Sequence, residues 1–360
     1  MRKRALVCSF FILANVCFSW QMKRIKSINI ENEALFVSGP FVVLEDGNLL
    51  FTDIRDKDNQ IKVFNENGKL IKAWGKMGPG PDEFGGLGFL DYQSPYLAVV
   101  DGGKHRIHVF ENLNNCEFKM IGGFLSWEQF GHMKIWNKNV LIHGHIVSPK
   151  GKEYMLFMRN FEGKKTRYIL PLKHRYGARS MREQKKIEEQ VSGFLFLAFL
   201  DVCQDKVYCV HEARLRLAKI DLKTNKIEFI GKEPKNFRAL SMNKKTKIAL
   251  KNPQTDKEVA EEILTQYSFV SGIFTDKDFV GVLYVNREKK INNELFFTPY
   301  IQIYDHSGEL LHEQPLASFY SEERFTPLFY EKNKRHLYLC SIVSDLEAIN
   351  YTVYKFSIEP

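Results

Sequence analysis

The chain contains 360 residues, of which 44% are hydrophobic and 26% are charged, and its formal net charge is +9 at pH 7. A chain of this length can bury a core large enough to be stable without disulfide bonds. Lys and Arg are interleaved with Asp and Glu, whereas a nucleic-acid partner calls for a clustered basic track. We therefore expect no nucleic-acid partner.

The N-terminus is typical of a secretory signal. Arg2, Lys3 and Arg4 give a basic start, and residues 5–18 form an apolar run of signal-peptide length. A transmembrane helix needs about 20 apolar residues, so an uncleaved membrane anchor is the alternative. We predict that residues 1–19 are removed, which lowers the net charge from +9 to +6 because three basic residues are lost. The mature chain, residues 20–360, is expected to be periplasmic or extracellular, with no stable membrane span.

Cleavage leaves four cysteines, Cys116, Cys203, Cys209 and Cys340. The second and third flank a predicted tight turn at residues 205–206, with Cys203 facing Tyr208 rather than Cys209. No cysteine spacing resembles a zinc site. We therefore expect mostly buried thiols.

The rest of the mature chain predicts an all-β fold. Short runs rich in Val, Ile, Phe and Tyr alternate with Asp-Gly, Asn-Gly, Glu-Gly or Ser-Gly turns, as in antiparallel strands. The hairpin pattern of residues 61–70 returns at residues 301–310. Repeats that bury their faces against the next copy are typical of propellers and solenoids.

Counting these hairpins predicts a single domain, a six-bladed β-propeller. The blades lie near residues 39–75, 86–122, 130–172, 194–231, 271–316 and 325–357. The last group is one strand short, so the N-terminal strand at residues 26–30 is predicted to close the last blade and the ring.

Two short helical insertions interrupt the repeated pattern of strands and turns, near residues 178–192 and 241–270. The second carries a helix that opens at Thr255 with a capping-box pattern. Long insertions on a repeat scaffold often line its working face. The alternative is that both insertions pack on the rim.

One segment of the chain resembles the NHL repeat, which forms one propeller blade. The resemblance rests on a Gly/Pro loop closed by an aromatic, a strand ending in Asp, and a strand opening on Arg-Ile. The matching residues are Gly80, Phe84, Asp101, Arg106, Ile107, Val109 and Phe110. The resemblance implies a structural role for Gly80, Phe84, Asp101 and Arg106, with Asp101 and Arg106 forming an ion pair or hydrogen bond inside the blade.

Polar residues at the ends of the second strands form a candidate binding set. Its members are Asp53, Asp101, His143, His145, His211 and Asn286. They could ring a central pocket, since second strands of successive blades converge on one face of a propeller. The alternative is that they are turn residues whose polar atoms are already hydrogen-bonded within the protein. His143 and His145 face the same side of a strand, but a metal needs a third ligand, so no metal is expected.

These features favour an exported, non-catalytic propeller that binds a protein, peptide or glycan through one face, predicted to be the face with the insertions. We expect a monomer with no cofactor. The alternative is a metal-dependent, lactonase-like hydrolase or lyase with a divalent cation in the central channel. An RNA-binding NHL module is disfavoured by the export signal.

Overall fold

The structure is a computed structural model of the whole chain. The described residues are 20–31, 38–53, 58, 60–80, 83–114, 116–126, 130–177, 180–183, 185, 198–211, 214–238, 267–287, 297–316, 324–344 and 349–360. The predicted signal, residues 1–19, lies outside them, as does most of both predicted insertions.

The chain forms six four-stranded antiparallel sheets arranged as the blades of a β-propeller. This arrangement confirms the predicted fold class. In chain order the strands are β1 (Gln21–Asn29), β2 (Ser38–Val43), β3 (Leu49–Asp53), β4 (Ile61–Phe64), β5 (Leu70–Trp74), β6 (Leu87–Gln93), β7 (Tyr96–Asp101), β8 (Arg106–Asn114), β9 (Glu117–Leu125), β10 (Phe130–Trp136), β11 (Asn139–Val147), β12 (Glu153–Asn160), β13 (Thr166–Pro171), β14 (Ala198–Cys203), β15 (Lys206–His211), β16 (Arg214–Asp221), β17 (Ile227–Ile230), β18 (Ser268–Thr275), β19 (Val280–Arg287), β20 (Phe297–Tyr304), β21 (Leu310–Pro315), β22 (Arg324–Glu331), β23 (His336–Ser344) and β24 (Ile349–Glu359).

Blades one to five each consist of four consecutive strands, starting with β2, β6, β10, β14 and β18. In each blade the first strand contacts the first strands of the neighbouring blades around the central axis. The second strand runs antiparallel to the first. The end of every second strand therefore lies at the propeller face opposite to the end of the first strand.

Blade six combines the two ends of the chain. Strand β1 pairs antiparallel with β24, from Gln21 opposite Glu359 to Asn29 opposite Thr352. The closing strand therefore starts earlier than the predicted residue 26. It also reaches blade one, because the Glu31 backbone N–H donates to the Gly68 carbonyl at 2.8 Å.

The apolar core lies between the blades. Each of the six hydrophobic clusters combines side chains from two neighbouring blades. One example joins Leu50 and Val63 of blade one to Leu97 and Val99 of blade two. Since both faces of a blade are covered, inner strands such as β3 are buried at every position.

The register around Cys203 differs from the prediction. Cys203 pairs with Lys206 and Cys209 pairs with Leu200, so the expected position of Cys203 opposite Tyr208 is wrong. The turn falls one residue earlier, at Gln204 and Asp205, because Gln204 adopts a left-handed conformation (φ 53°). Within the described residues the four cysteines are thiols, three of them buried.

Little helix is present in the described residues. Residues 181–183 and 185 are helical, and Glu183 accepts a 2.8 Å ion-paired hydrogen bond from Arg216 on β16. The predicted helix at Thr255 lies outside the described residues. No helix in the described ranges has the length and hydropathy of a membrane span.

Ring closure by β1 predicts contrasting effects at two isoleucines of that strand. The side chain of Ile28 is 4% exposed and that of Ile25 is 49% exposed. Ile28→Ala should lower the free energy of unfolding by about 2–5 kcal/mol, because it leaves a cavity in the core. Ile25→Ala should change it by less than about 0.5 kcal/mol. Urea unfolding of both variants checks this, and equal, small effects would show that β1 does not hold blade six.

Candidate functional site at the mouth of the central channel

A cavity of about 670 Å³ opens at one end of the central channel. Its wall is made by the carboxyl ends of the first strands and by the turns that follow them. The rim includes Glu45, Ser94, Asn137, Gln204 and Lys332, one from each of five blades. We call this cavity the channel mouth.

One layer of side chains at the base of the mouth is divided into a charged half and an apolar half. Each member of the layer is the residue two positions before the end of its first strand. Side chains alternate along a strand, so we compare the residues at this same position in all six blades. Blades two, three and four supply Asp91, Lys134 and Asp201. Blades five, six and one supply Ile273 and Phe329, which line the mouth, and Phe41, which lines a smaller cavity below it. We call these six residues the axial layer.

The charged half of the axial layer is an ion network. Lys134 Nζ lies 2.8 Å from Asp91 Oδ1 and 3.9 Å from Asp201 Oδ1. The two carboxylates also accept hydrogen bonds from the next blade. Asp91 Oδ2 accepts the Ile135 backbone N–H at 2.7 Å, and Asp201 Oδ2 accepts the Thr275 backbone N–H and hydroxyl, both at 2.7 Å. The carboxylates therefore hold blades together as well as facing the mouth.

The network favours the charged forms of Lys134 and Asp201. Burial lowers the pKa of Lys134, but the charges of Asp91 and Asp201 outweigh it, so the pKa stays above its ordinary value. Burial raises the pKa of Asp201, but Lys332, Lys134 and the Thr275 hydroxyl outweigh it and bring the pKa below its ordinary value. A lysine held protonated in this way is a cation that binds, not a free amine nucleophile.

An aromatic cluster lies beneath the axial layer. His132 stands between Phe89 and Phe199, with ring centroids 6.2 Å and 5.8 Å away. These three side chains line a second cavity of about 50 Å³ inside the channel. Burial, and then the charge of Lys134, lower the pKa of His132 to about 3, so its imidazole is neutral at pH 7. Its buried Nδ1 has no hydrogen-bond partner within the described residues.

The sequence-predicted set lies at the other face. Asp53, Asp101 and His211 end their second strands, and Asn286 lies one residue before the end of β19. None of the predicted set lines the channel mouth. Asn286 has a packing role, since its amide donates to the Asn236 carbonyl at 3.0 Å. Ligand binding by this set stays a prediction.

The two histidines of blade three have different environments. His143 is 8% exposed, whereas His145 is exposed on the surface and contacts Glu153 at 3.4 Å. The pairing of β11 with β12 is irregular between His143 and Ile146. Within the described ranges no cluster of three or more His, Cys, Asp or Glu has the arrangement of a metal site.

Asp101 of the repeat motif has partners other than the one predicted. Its carboxylate accepts the backbone N–H groups of Gly85, Gly86 and Lys104 at 2.9–3.1 Å, and His108 Nε2 lies 3.6 Å away. Burial raises the pKa of Asp101, but these contacts, His108 first, outweigh it and lower the pKa. The expected Arg106 contact is wrong, because the carboxylate turns toward the loop amides and the buried Arg106 Nε has no partner in the described structure.

Blade one repeats this arrangement. Lys62 Nζ lies 2.8 Å from Asp53 Oδ2, and both side chains are buried. Lys62 and His108 each stand two residues after the position of the motif arginine, which is Gln60 in blade one and Arg106 in blade two. Residues two apart on a strand share a face, so in both blades the carboxylate is contacted by the next residue on that face.

Gly80 and Phe84 have structural roles in the same loop. Glu83 accepts the Gly80 backbone N–H at 2.6 Å. Lys104 Nζ donates to the carbonyls of Gly80 and Glu83 at 2.9 Å and 2.7 Å, from the position where an NHL repeat has Asn. Phe84 is buried and packs edge-on against His108.

The channel mouth was missed at the sequence level, although the chain carries a signal for it. Phe-Leu-Asp occurs at residues 89–91 and again at residues 199–201. A carboxylate repeated at the same place in two buried first strands points to the channel axis, where each of these strands lies.

No protein-family model and no curated protein sequence matches the chain. Its fold is shared by the structure of a member of the DUF4221 family from Bacteroides vulgatus, with 13% identity, a TM-score of 0.64, and coverage of 95% of this chain and 99% of that chain. It is also shared by a Bacteroides fragilis protein described as exported, with 12% identity, a TM-score of 0.52, and coverage of 96% and 97%. At these identities the likeness shows the fold alone.

The partners of Asp101 predict which substitution destabilises blade two. Asp101→Asn should cost about 1.5–3 kcal/mol, since a charged acceptor of buried hydrogen bonds is replaced. Arg106→Ala should cost less than about 1 kcal/mol, because Arg106 does not contact that carboxylate. The Asp101 contribution is lost as pH falls through its lowered pKa. Denaturant unfolding at pH 7 and pH 3 checks this. An equal cost for both variants would support the originally predicted pair of Asp101 and Arg106.

The charged half of the axial layer predicts a pH-dependent cost for Lys134→Met. Removing the ammonium takes away the ion-pair partner of Asp91 and leaves Asp201 with Lys332 at 3.5 Å. The cost at pH 7 should be about 3 kcal/mol, the low end for a buried pair because Lys134 is 24% exposed. A raised pKa gives stability that is lost only as pH rises through the folded-state value, so the cost should persist to about pH 10 and then shrink.

The matched control for this variant is Lys150→Met. Lys150 is exposed on the β11–β12 turn of the same blade, and its substitution should be neutral. Thermal and urea unfolding between pH 5 and pH 11 checks both variants. A Lys134→Met chain as stable as the control would mean that the network does not hold the blades.

Proposed function

We propose that the protein is an exported, non-enzymatic binding propeller that receives a protein segment, peptide or glycan in the channel mouth. The observation that carries the proposal is the cavity of about 670 Å³ with its divided axial layer. Ligand sites typically measure about 300–1,000 Å³ and combine an apolar wall with a few placed polar groups. The mouth has both features.

The chemistry of the mouth favours binding over catalysis. Lys134 is held protonated by two carboxylates, whereas an amine nucleophile must be neutral. The carboxylates accept fixed backbone N–H groups. The neutral His132 lies below the axial layer in the aromatic cluster. These groups present fixed charges to a ligand and leave its bonds intact.

Export is supported by the sequence and by one similar structure. The basic start and apolar run at residues 1–19 have the form of a secretory signal. The similar structure from Bacteroides fragilis is of a protein described as exported. We propose a periplasmic or extracellular location on these grounds.

The proposed ligand face differs from the face first predicted. In the sequence, both predicted insertions lie between the last strand of one blade and the first strand of the next, and these described strand ends lie where first strands begin. The channel mouth lies where first strands end. We therefore propose that the ligand enters at the mouth, at the face opposite to those strand ends.

Blocking the mouth tests this proposal. Gln93 is exposed, ends β6 and lines the mouth, so Gln93→Trp should weaken ligand binding by more than about tenfold, which is 1.4 kcal/mol. The control is Lys150→Trp, on a turn at the far face. A panel of peptides and oligosaccharides is measured by calorimetry against the mature wild-type chain and both variants.

Binding that survives Lys150→Trp and is lost in Gln93→Trp supports the channel mouth. Binding that is lost only in Lys150→Trp assigns the ligand to the far face. A chelator-sensitive gain in melting temperature with Ca²⁺, Mg²⁺, Mn²⁺ or Zn²⁺, together with hydrolysis of a lactone, would favour the enzyme alternative.

A further inference from the structure

Lys332 reaches across the channel mouth from blade six to blade four. It follows β22 on the rim, and its ammonium donates to the Val202 carbonyl. It also lies 3.4 Å from Thr275 Oγ1 and 3.5 Å from Asp201 Oδ2. Three oxygens of blades four and five therefore surround one ammonium group. We call the Asp201 carboxylate, the Val202 carbonyl and the Thr275 hydroxyl the oxygen cage.

The oxygen cage is fixed independently of Lys332. Asp201 is held by the Thr275 backbone N–H and hydroxyl, and Lys134 lies 3.9 Å from its other carboxylate oxygen. The Val202 carbonyl and the Thr275 backbone belong to first strands of the ring. A fixed carboxylate with two neutral oxygens is a suitable acceptor set for the three donors of a primary ammonium group.

Lys332 is the weakly held member of the network. Lys134 lies on β10, is 24% exposed and contacts Asp91 at 2.8 Å. Lys332 begins a short 3-10 helix, Lys332–Lys334, and its side chain is 44% exposed. Its partner Asp201 is 7% exposed, but ordering a long lysine side chain costs rotamer entropy, and an incoming ammonium group carries the same charge. An incoming ammonium group can therefore replace the Lys332 ammonium at small cost.

The wall beside the oxygen cage is apolar. Ile273 and Phe274 of blade five and Leu328 of blade six line the mouth next to Thr275 and Lys332. This combination fits an aliphatic stem that ends in a positive charge, which is also the shape of the Lys332 side chain. A neutral sugar offers neither the charge nor the stem.

The charge of the mouth agrees with a cationic ligand. Its lining carries five carboxylates, Glu45, Asp91, Asp201, Asp205 and Glu331, against two lysines, Lys134 and Lys332. Lys223 and Lys334 also pair with Asp205 and Glu331, which leaves an excess of one carboxylate. The chain as a whole has a net charge of +9. The mouth therefore opposes the sign of the rest of the molecule and attracts positive groups.

We propose that the mouth recognises a primary ammonium group on an aliphatic stem, as in a lysine side chain of a peptide, and that this group takes the place of Lys332 in the oxygen cage. The inference rests on the proposed function and names its ligand class. Lys332 is then an internal competitor that lowers the affinity of the wild-type chain.

The test removes the competitor. The probes are a capped tripeptide with a central lysine and the same tripeptide with norleucine, which keeps the stem and lacks the charge. Lys332→Ala should bind the lysine probe about tenfold more tightly than the wild-type chain, as expected if the internal ammonium occupies the cage about nine-tenths of the time. The control is Lys334→Ala, on the same turn, whose lysine contacts Glu331 at 2.7 Å instead of the cage. It should bind like the wild-type chain.

Charge dependence is tested on both partners. The norleucine probe should bind neither chain, and Asp201→Asn in the Lys332→Ala background should abolish binding of the lysine probe. If the Asp201→Asn variant does not fold, the norleucine probe alone still shows whether binding depends on the positive charge. Equal affinity of Lys332→Ala and the wild-type chain, or equal binding of the two probes, would overturn the inference.

The outcome separates this inference from the proposed function. If an oligosaccharide binds, is blocked by Gln93→Trp and is indifferent to Lys332→Ala, the ammonium inference fails and the channel mouth stands. If no ligand is blocked by Gln93→Trp, both fail.

Discussion

The structure depends on the burial of both faces of every blade. Each apolar cluster is shared by two neighbouring blades, so no blade has a complete core of its own, and only a closed ring covers all of them. Closure needs a fourth strand in blade six, which β1 supplies by pairing with β24. The ring in turn brings the first strands of all blades to one axis, and this convergence forms the channel and its mouth.

Features that belong to a single hairpin were predictable from the sequence. Turn glycines and alternating apolar residues placed the six blades and the closing strand near their observed positions. The similarity of residues 61–70 to residues 301–310 depends only on local strand and turn chemistry. Such information survives sequence divergence, because every blade must repeat the same hairpin.

The candidate site was not predictable in the same way, because it is assembled from six distant strands. The axial layer appears only when the strand ends are aligned, because its six members are about 40 to 70 residues apart along the chain and only Asp91 and Asp201 share a local sequence pattern. The polar ends of the second strands were easier to see, but antiparallel pairing sends them to the far face. Asp101 shows a similar limit, since its partners are set by the path of the loop at Gly85 and Gly86.

The double use of Asp91 and Asp201 constrains how binding specificity can change. Each carboxylate contacts Lys134 with one oxygen and holds the backbone of the next blade with the other. Altering either charge would therefore loosen a blade junction while it altered recognition. Substitution at an exposed rim position such as Ser94 would leave both junctions in place, so recognition can change at the rim without loosening the ring.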